Sequence, residues 1–340
     1  MTNEQRPYTI ALDAMGGDLA PAEPVKGAVL AAHRHGVRVL LVGDPEAIEA
    51  ELARLDHDHL PLKVVPAEGV IQEGGSPARS LRSKPRASIA VGVGLVKAGR
   101  ADALVSMGST GATMAASVLA LGLFDGLERP ALGGPFIGLA PTTSIMDLGA
   151  QIDCRPSQLL GIAALGCTFA RYFLRIPNPR MGLLSVGTEA GKGNRQVQEA
   201  YPLFEASGLN FIGNVEGNEL FLDKADVVVC DGFVGNVLLK YTEGLGRAAA
   251  LALARSLGPD SPAVHQLNSI ASTAESAGGP LLGVNGTVIV GHGKSTGEGI
   301  ANAVGRAKDA LAIGLVDAMR DELRLVLGRA GAMEAAPQGS

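Results

Sequence analysis

Short runs of apolar, β-branched residues alternate along this chain with stretches of helical period, and that alternation most constrains how it can fold. Strand candidates lie at 9–12, 37–42, 62–65, 103–105, 135–138, 143–146, 181–185, 210–213, 227–230 and 287–290. Many are apolar throughout, as strands covered on both faces should be. Helical period recurs at 23–35, 88–97, 111–123, 156–174, 195–207, 236–256 and 299–327. The pattern predicts an α/β fold. A chain of 340 residues makes one large domain or two intertwined halves. No linker stands out, so 8–327 reads as a single domain of two intertwined halves. The small, polar stretch 328–340 reads as a disordered tail.

Composition narrows the class. With 46% hydrophobic residues the chain is not disordered. A net charge of -5 and 4% aromatic residues argue against a nucleic-acid binder, which needs cations and stacking platforms. Cys154, Cys167 and Cys230 are widely spaced, the pattern of reduced, mostly buried thiols in a cytosolic protein. The opening MTNEQRPYT has no apolar signal core. The uncharged stretch 103–124 is long enough to span a membrane, but Gly108, Ser109, Thr110, Gly111, Thr113, Ser117 and Gly122 interrupt it. It reads as a buried strand, a glycine turn and a buried helix.

The glycines collect where strands end and helices begin: Gly16-Gly17, 108–111, 187–193, 232–235 and 291–299. In an open α/β sheet, ligands bind outside the carboxyl ends of the strands, and helix N-termini there favour anions. Five such turns carrying Asp, Ser, Thr, Lys, Asn and His point to a shared anion site. Each has a pointed feature. Asp13 ends the first strand ahead of Gly16 and Gly17, and Ser109, Thr110 and Gly111 offer hydroxyls and N–H groups before a helix. Lys192, between two glycines, is poorly placed to pack and well placed to reach an anion, with Thr188 and Asn194 beside it. Asp231, Gly232 and Asn236 repeat the strand-end carboxylate and add an amide, and His292 and Ser295 close the set.

Three familiar patterns fail in context. The stretch from Gly293 to Thr296 looks like the end of a P-loop, but the required earlier glycine is Val288. The same stretch mimics a nucleophile elbow, yet no His follows Ser295. The glycine pattern from Gly244 to Ala249 lies in helical sequence rather than after a strand.

Taken together, ALDAMGGDLAP, SMGSTGA, GLLSVGTEAGKGN, FIGNVEGNEL, ADVVVCDGFVGNVLLK and GGPLLGVNGTVIVGHG resemble the bacterial phosphate:acyl-(acyl-carrier-protein) acyltransferases of phospholipid synthesis, over about residues 10–327. The resemblance implies a three-layer αβα sandwich with a mixed, mostly parallel sheet of the isocitrate/isopropylmalate-dehydrogenase type. It implies a homodimer, an acyl-carrier-protein thioester and inorganic phosphate as substrates, acyl phosphate as product, and no metal or organic cofactor. A cytoplasmic enzyme follows, peripheral at the inner face of the membrane if it feeds a glycerol-phosphate acyltransferase. The short, weakly basic segment 244–275 puts membrane contact in doubt. Further departures are Gln151 for the usual Asn, Gly74-Gly75 for two acidic residues, Ala277 for an aromatic one and Lys294 for a small one.

A thioester is already activated and phosphate dianion is an adequate nucleophile, so positioning and oxyanion stabilisation are what the enzyme must add. In that scheme Lys192 neutralises phosphate or the oxyanion, and Asn236 and Asn194 donate hydrogen bonds. Ser109 and Thr110 hold phosphate, His292 shuttles a proton, and Asp13 and Asp231 position the others. The acidic carrier should dock on Arg79, Arg82, Lys84 and Arg86. The rival readings are a nicotinamide-dependent hydroxyacid dehydrogenase of the same architecture and a non-enzymatic carrier-docking scaffold. The position of the acyl cleft and its chain-length preference are not readable from these residues.

Overall fold

The computed structural model describes residues 6–72, 74–135, 143–268 and 279–335. The chain forms two compact units, Met1–Gly122 with Glu275–Gly314 and Leu123–Ala274 with Leu315–Ser340. Each is a mixed, mostly parallel sheet with helices on both faces, the αβα layering expected.

The first unit contains β1 (Thr9–Asp13), α1 (Ala22–His35), β2 (Arg38–Gly43), α2 (Pro45–Leu52), β3 (Leu62–Pro66), α3 (Pro77–Ser83), α4 (Ser88–Lys97), β4 (Ala103–Ser106) and α5 (Thr110–Leu121). Its later segment adds β10 (Gly279–Leu282), β11 (Thr287–Val290) and the helix Gly297–Ala312. The strand order is β3-β2-β1-β4-β11-β10, parallel except for β10. Every residue of β1, β4 and β11 is buried, so these strands carry no polar alternation. One face packs Ile10, Leu12, Val39 and Leu41 against Val25, Ala28 and Val29 of α1 and Ile300 and Val304 of the later helix. Arg34 and Glu298 pair at the rim of that interface. The opposite face carries α4.

The second unit contains β5 (Ala131–Pro135), β6 (Ser144–Met146), α6 (Pro156–Phe173), β7 (Met181–Ser185), α7 (Arg195–Ala206), β8 (Phe211–Glu216), β9 (Val227–Val229), α8 (Gly232–Leu257) and the helix Leu315–Ala335. The order is β5-β6-β9-β7-β8, parallel except for β5. Helix α6 is buried on every side from Leu159 to Ala170, because it lies between the sheet and both α7 and the last helix. A second core forms on the other face, where Ile145, Val228 and Cys230 meet Val234 and Leu238 of α8.

Several boundaries differ from the sequence reading. The single helix expected at 299–327 is two, because the first closes at Ala312 and Gly314 takes a left-handed φ of 63°. The second runs on to Ala335, eight residues into the stretch read as a disordered tail, since Arg329, Ala330, Met333 and Glu334 are good helix formers. Strand β10 escapes pattern reading because Gly279 and Pro280 open it. The strand expected at 135–138 lies earlier, at β5, and 136–138 fall outside the described residues. Helices α2 and α3 fall outside the helical stretches read from sequence, and their one signal is a proline, Pro45 and Pro77, at the first helical position. Ala277 and Gly278 also lie outside the described residues.

Candidate active site

In open parallel sheets, the crevice for a ligand forms where strand order reverses, beyond the carboxyl ends. Each unit has one such point. In the first, β1 proceeds to β2 and β3 on one side and β4 lies on the other. In the second, β8 lies outside β7 while β9 returns to its inner side. Three of the five glycine turns belong to the first unit and two to the second.

At the first point Asp13 ends β1 fully buried. The Ser106 hydroxyl donates to its Oδ2 at 2.8 Å, and the Met15 N–H to its Oδ1 at 3.2 Å. Burial pushes the Asp13 carboxyl up, against the pull of these hydrogen bonds. The Gly108 N–H in turn donates to Ser106 Oγ at 3.1 Å. Asp18 N–H donates to the Gly293 carbonyl at 2.7 Å and Gly291 N–H to that of Ser106 at 2.9 Å. This lattice brings the turns of Gly16 and Gly17, of Ser109, Thr110 and Gly111, and of His292 and Ser295 into one cluster. Ser109 caps α5, its hydroxyl accepting from Ala112 N–H at 3.3 Å. His292 is half-buried, and its Nδ1 accepts from Lys294 N–H at 3.3 Å. Ser295 is buried with no partner for its hydroxyl. The helix start that a P-loop would offer to phosphate is already capped here, because Glu23 accepts from Gly297 N–H.

At the second point the loop after β7 carries Thr188, Lys192 and Asn194, all exposed. Asn194 caps α7 through Oδ1, at 2.9 Å from Val197 N, and so commits its acceptor but not its amide donors. Asp231 caps α8 in the same way, at 2.8 Å from Val234 N. Both helices therefore begin at one crevice, since Asn194 and Asp231 line the same cavity, and their first-turn N–H groups favour an anion there. Asn236 is exposed one turn into α8, its amide 3.4 Å from the Leu148 carbonyl.

What seats α8 there is a residue that sequence reading passed over. Asp147 follows β6 fully buried, and its carboxylate accepts N–H groups from Leu132, Gly149, Ala150 and Gln151 at 2.7–3.2 Å. The loop so folded presents the Gln151 carbonyl to Gly232 N–H at 2.7 Å. Gly235 lies against it so closely that a Cβ would sit 1.8 Å from the Asp147 carbonyl oxygen. Burial pushes the Asp147 pKa to about 6, with the N–H donors pulling the other way. The available signal was an Asp directly after a short apolar run, as at Asp13 and Asp231. Gln151 donates through Nε2 to the carbonyls of Arg129 and Pro130 at 3.4 Å each, so its amide serves the loop's own structure.

The four basic residues near Pro85 are not equivalent. Arg86 pairs with Glu68 at 3.0 Å and the Lys84 ammonium donates to the Val70 carbonyl at 3.0 Å, whereas Arg79 and Arg82 extend from α3 into solvent. All three cysteines are buried, and burial raises their thiols, those of Cys154 and Cys167 to about 12. Among the described residues no cluster of three or more His, Cys, Asp or Glu could hold a metal ion. No helix among them is long and apolar enough to cross a membrane.

Comparison with known proteins bears on this geometry. The family described as "Fatty acid synthesis protein" matches residues 8–317. The phosphate acyltransferase of Desulforudis audaxviator is 45% identical over 317 residues, 90% of this chain and 93% of that protein. Among solved structures, a phosphotransacetylase from Streptococcus pyogenes superposes with a TM-score of 0.58 at 19% identity, covering 93% of this chain and 94% of that one. A 4-hydroxythreonine-4-phosphate dehydrogenase from Klebsiella pneumoniae does so with 0.52 at 14% identity, covering 90% and 98%. The structural likenesses establish the shared fold. The sequence match over nearly the whole chain establishes more: this enzyme belongs to the phosphate acyltransferase family.

Proposed function

We propose that the chain moves a fatty acyl group from an acyl-carrier-protein thioester to inorganic phosphate. A phosphate oxygen attacks the thioester carbon, the resulting tetrahedral oxyanion collapses, and the C–S bond breaks to give acyl phosphate and the carrier thiol. The observation that carries this reading is the crevice between β7 and β9, where the capping residues of two helix starts, Asn194 and Asp231, share one cavity next in sequence to the exposed Lys192 loop. Thiols raised by burial are protonated at neutral pH, which favours attack by phosphate itself over a cysteine acyl-enzyme. The carrier thiolate leaves readily, since a free thiol has a pKa of about 8.5.

Lys192 neutralises phosphate or the oxyanion, and Asn236 and Asn194 donate amide hydrogen bonds. Thr188 and Gly232 belong to the same anion-binding loops. In the first unit, considered by itself, Ser109, Thr110, Gly111 and Ser295 are assigned to binding phosphate, Gly16 and Gly17 to shaping the turn, and His292 to proton transfer. Asp13 and Asp231 are positioning residues, because carboxylates facing phosphate would repel it. The assay that tests the whole reading combines purified protein, an acylated carrier protein and phosphate, with hydroxylamine present to trap acyl phosphate. Hydroxamate whose formation depends on phosphate is expected; thioester that stays intact at every phosphate concentration would refute it.

Docking of the acidic carrier falls to Arg79 and Arg82, two exposed members of the basic segment with no carboxylate partner among the described residues. Reversing both to Glu should raise KM for the acylated carrier about tenfold while changing kcat less than twofold. An unchanged KM would move docking elsewhere. A homodimer and peripheral attachment at the inner face of the membrane, handing acyl phosphate to a glycerol-phosphate acyltransferase, belong to the same reading. In support of attachment, Phe233, Val237, Tyr241 and Leu245 are exposed at four-residue spacing along α8.

A further inference from the structure

The second unit holds a cavity of about 260 Å³ directly under its reversal point. Its walls are Leu159 from α6, Leu183 from β7, Val197 from α7, Cys230 after β9, and Val234 and Leu238 from α8. No lysine, arginine, histidine or glutamate lines it, and its one carboxylate, Asp231, is engaged in capping α8. Such a cavity rejects phosphate and the polar carrier arm alike, and accepts hydrocarbon. Asn194, from the loop that carries Lys192, and Asp231 also line it. Ser185 also stands on the wall, and its hydroxyl is buried without a hydrogen-bond partner among the described residues. A buried hydroxyl left unpaired is costly, and a carbonyl at the head of an inserted chain would pair it.

We infer that this cavity is the acyl subsite: the aliphatic tail of the donor lies among Leu159, Leu183, Val197 and Leu238, with its carbonyl end at Ser185. The inference rests on the acyl-transfer reading and adds where the chain goes and what limits its length. An apolar cavity of about 150 Å³ holds benzene. By that measure this one takes on the order of ten carbons, so the inner part of a fatty chain fills it. Val234 and Leu238 are only half-buried and line the cavity, so a larger side chain at either position would narrow it.

The test uses the full chain with Leu238→Phe, and Val234→Phe as a second variant, each checked by its melting curve. Decanoyl and butyryl thioesters on the same carrier protein are compared, and decanoate binding is titrated separately by calorimetry. The expected result is a loss of about tenfold or more in kcat/KM for decanoyl, a change below twofold for butyryl, and weakened decanoate binding. Equal effects on both chain lengths in both variants, or decanoate binding that neither variant alters, would overturn the inference. The binding arm does not depend on turnover. Decanoate bound by the wild type and displaced by the variants, with no acyl transfer to phosphate, would sustain the subsite and refute the reaction.

Discussion

Replacing Lys192 with alanine is expected to lower kcat/KM for phosphate by about 10²–10³-fold, the cost of removing one preorganised charge from an anion site. The melting temperature should hardly move. The side chain is exposed between Gly191 and Gly193, so truncating it empties no core space. What shapes the loop is its backbone, where Lys192 N–H donates to the Glu189 carbonyl at 2.9 Å and Asn214 donates to the same carbonyl at 2.8 Å. Both contacts survive truncation. The split between constants identifies the charge's partner. A raised KM for phosphate at constant kcat places the ammonium on the bound phosphate, whereas a lowered kcat places it on the oxyanion. Lys192→Arg should recover only part of the loss, since a planar fork does not replace a compact charge. A kcat and a KM for phosphate both near wild type in Lys192→Ala would remove the residue from the reaction.

Asp147→Ala should produce the largest loss of stability. Four backbone N–H groups end on this carboxylate, and each buried donor left unpaired costs about 1–3 kcal/mol. Allowing for relaxation of the loop, a net loss of roughly 4 kcal/mol corresponds to a melting temperature lower by about 10 °C. Turnover should fall as well, because the 147–151 loop seats the start of α8 and with it Asn236. Asp147→Asn, which keeps one acceptor, should lie between. The carboxyl also leaves a signature in pH. Its folded pKa of about 6 lies above the ordinary 3.8, so the folded state holds the proton more tightly than the unfolded chain does. The associated stabilisation is complete below about pH 3.8 and is lost as pH rises through 6. Melting temperatures of wild type and Asp147→Asn should therefore converge or diverge chiefly between pH 4 and 6, with the wild type relatively more stable at the acidic end. A constant difference across that range would contradict the assignment.

Much of this architecture was legible in the residues. Strands such as 181–185 and 287–290 are found where their unbroken apolar runs place them, because a strand covered on both faces has no other composition open to it. Strand β10 was not, since Gly279 and Pro280 weaken any strand pattern and its place depends on antiparallel pairing with β11. The glycine turns marked the carboxyl edge of the strands correctly, and the capping roles of Ser109, Asn194 and Asp231 follow from residue types that favour helix starts. Asp147 was hidden because nothing in one short segment tells a carboxylate that gathers four local N–H groups from an ordinary turn residue. The apolar cavity was hidden for a different reason. Its walls come from α6, β7, α7 and α8 together, and no periodicity within any one of them records a space between them all.

The central claim is that phosphate, held by backbone amides and one ammonium, is itself the nucleophile. Phosphate labelled with oxygen-18 at every position, supplied with an acylated carrier protein, tests it in one mass spectrum. If phosphate attacks the thioester carbon, its attacking oxygen becomes the bridge of the acyl phosphate, and the product retains the full label of the phosphate it came from. An acyl phosphate lacking one labelled oxygen would mean that a free carboxylate had attacked phosphorus instead, and would contradict the account.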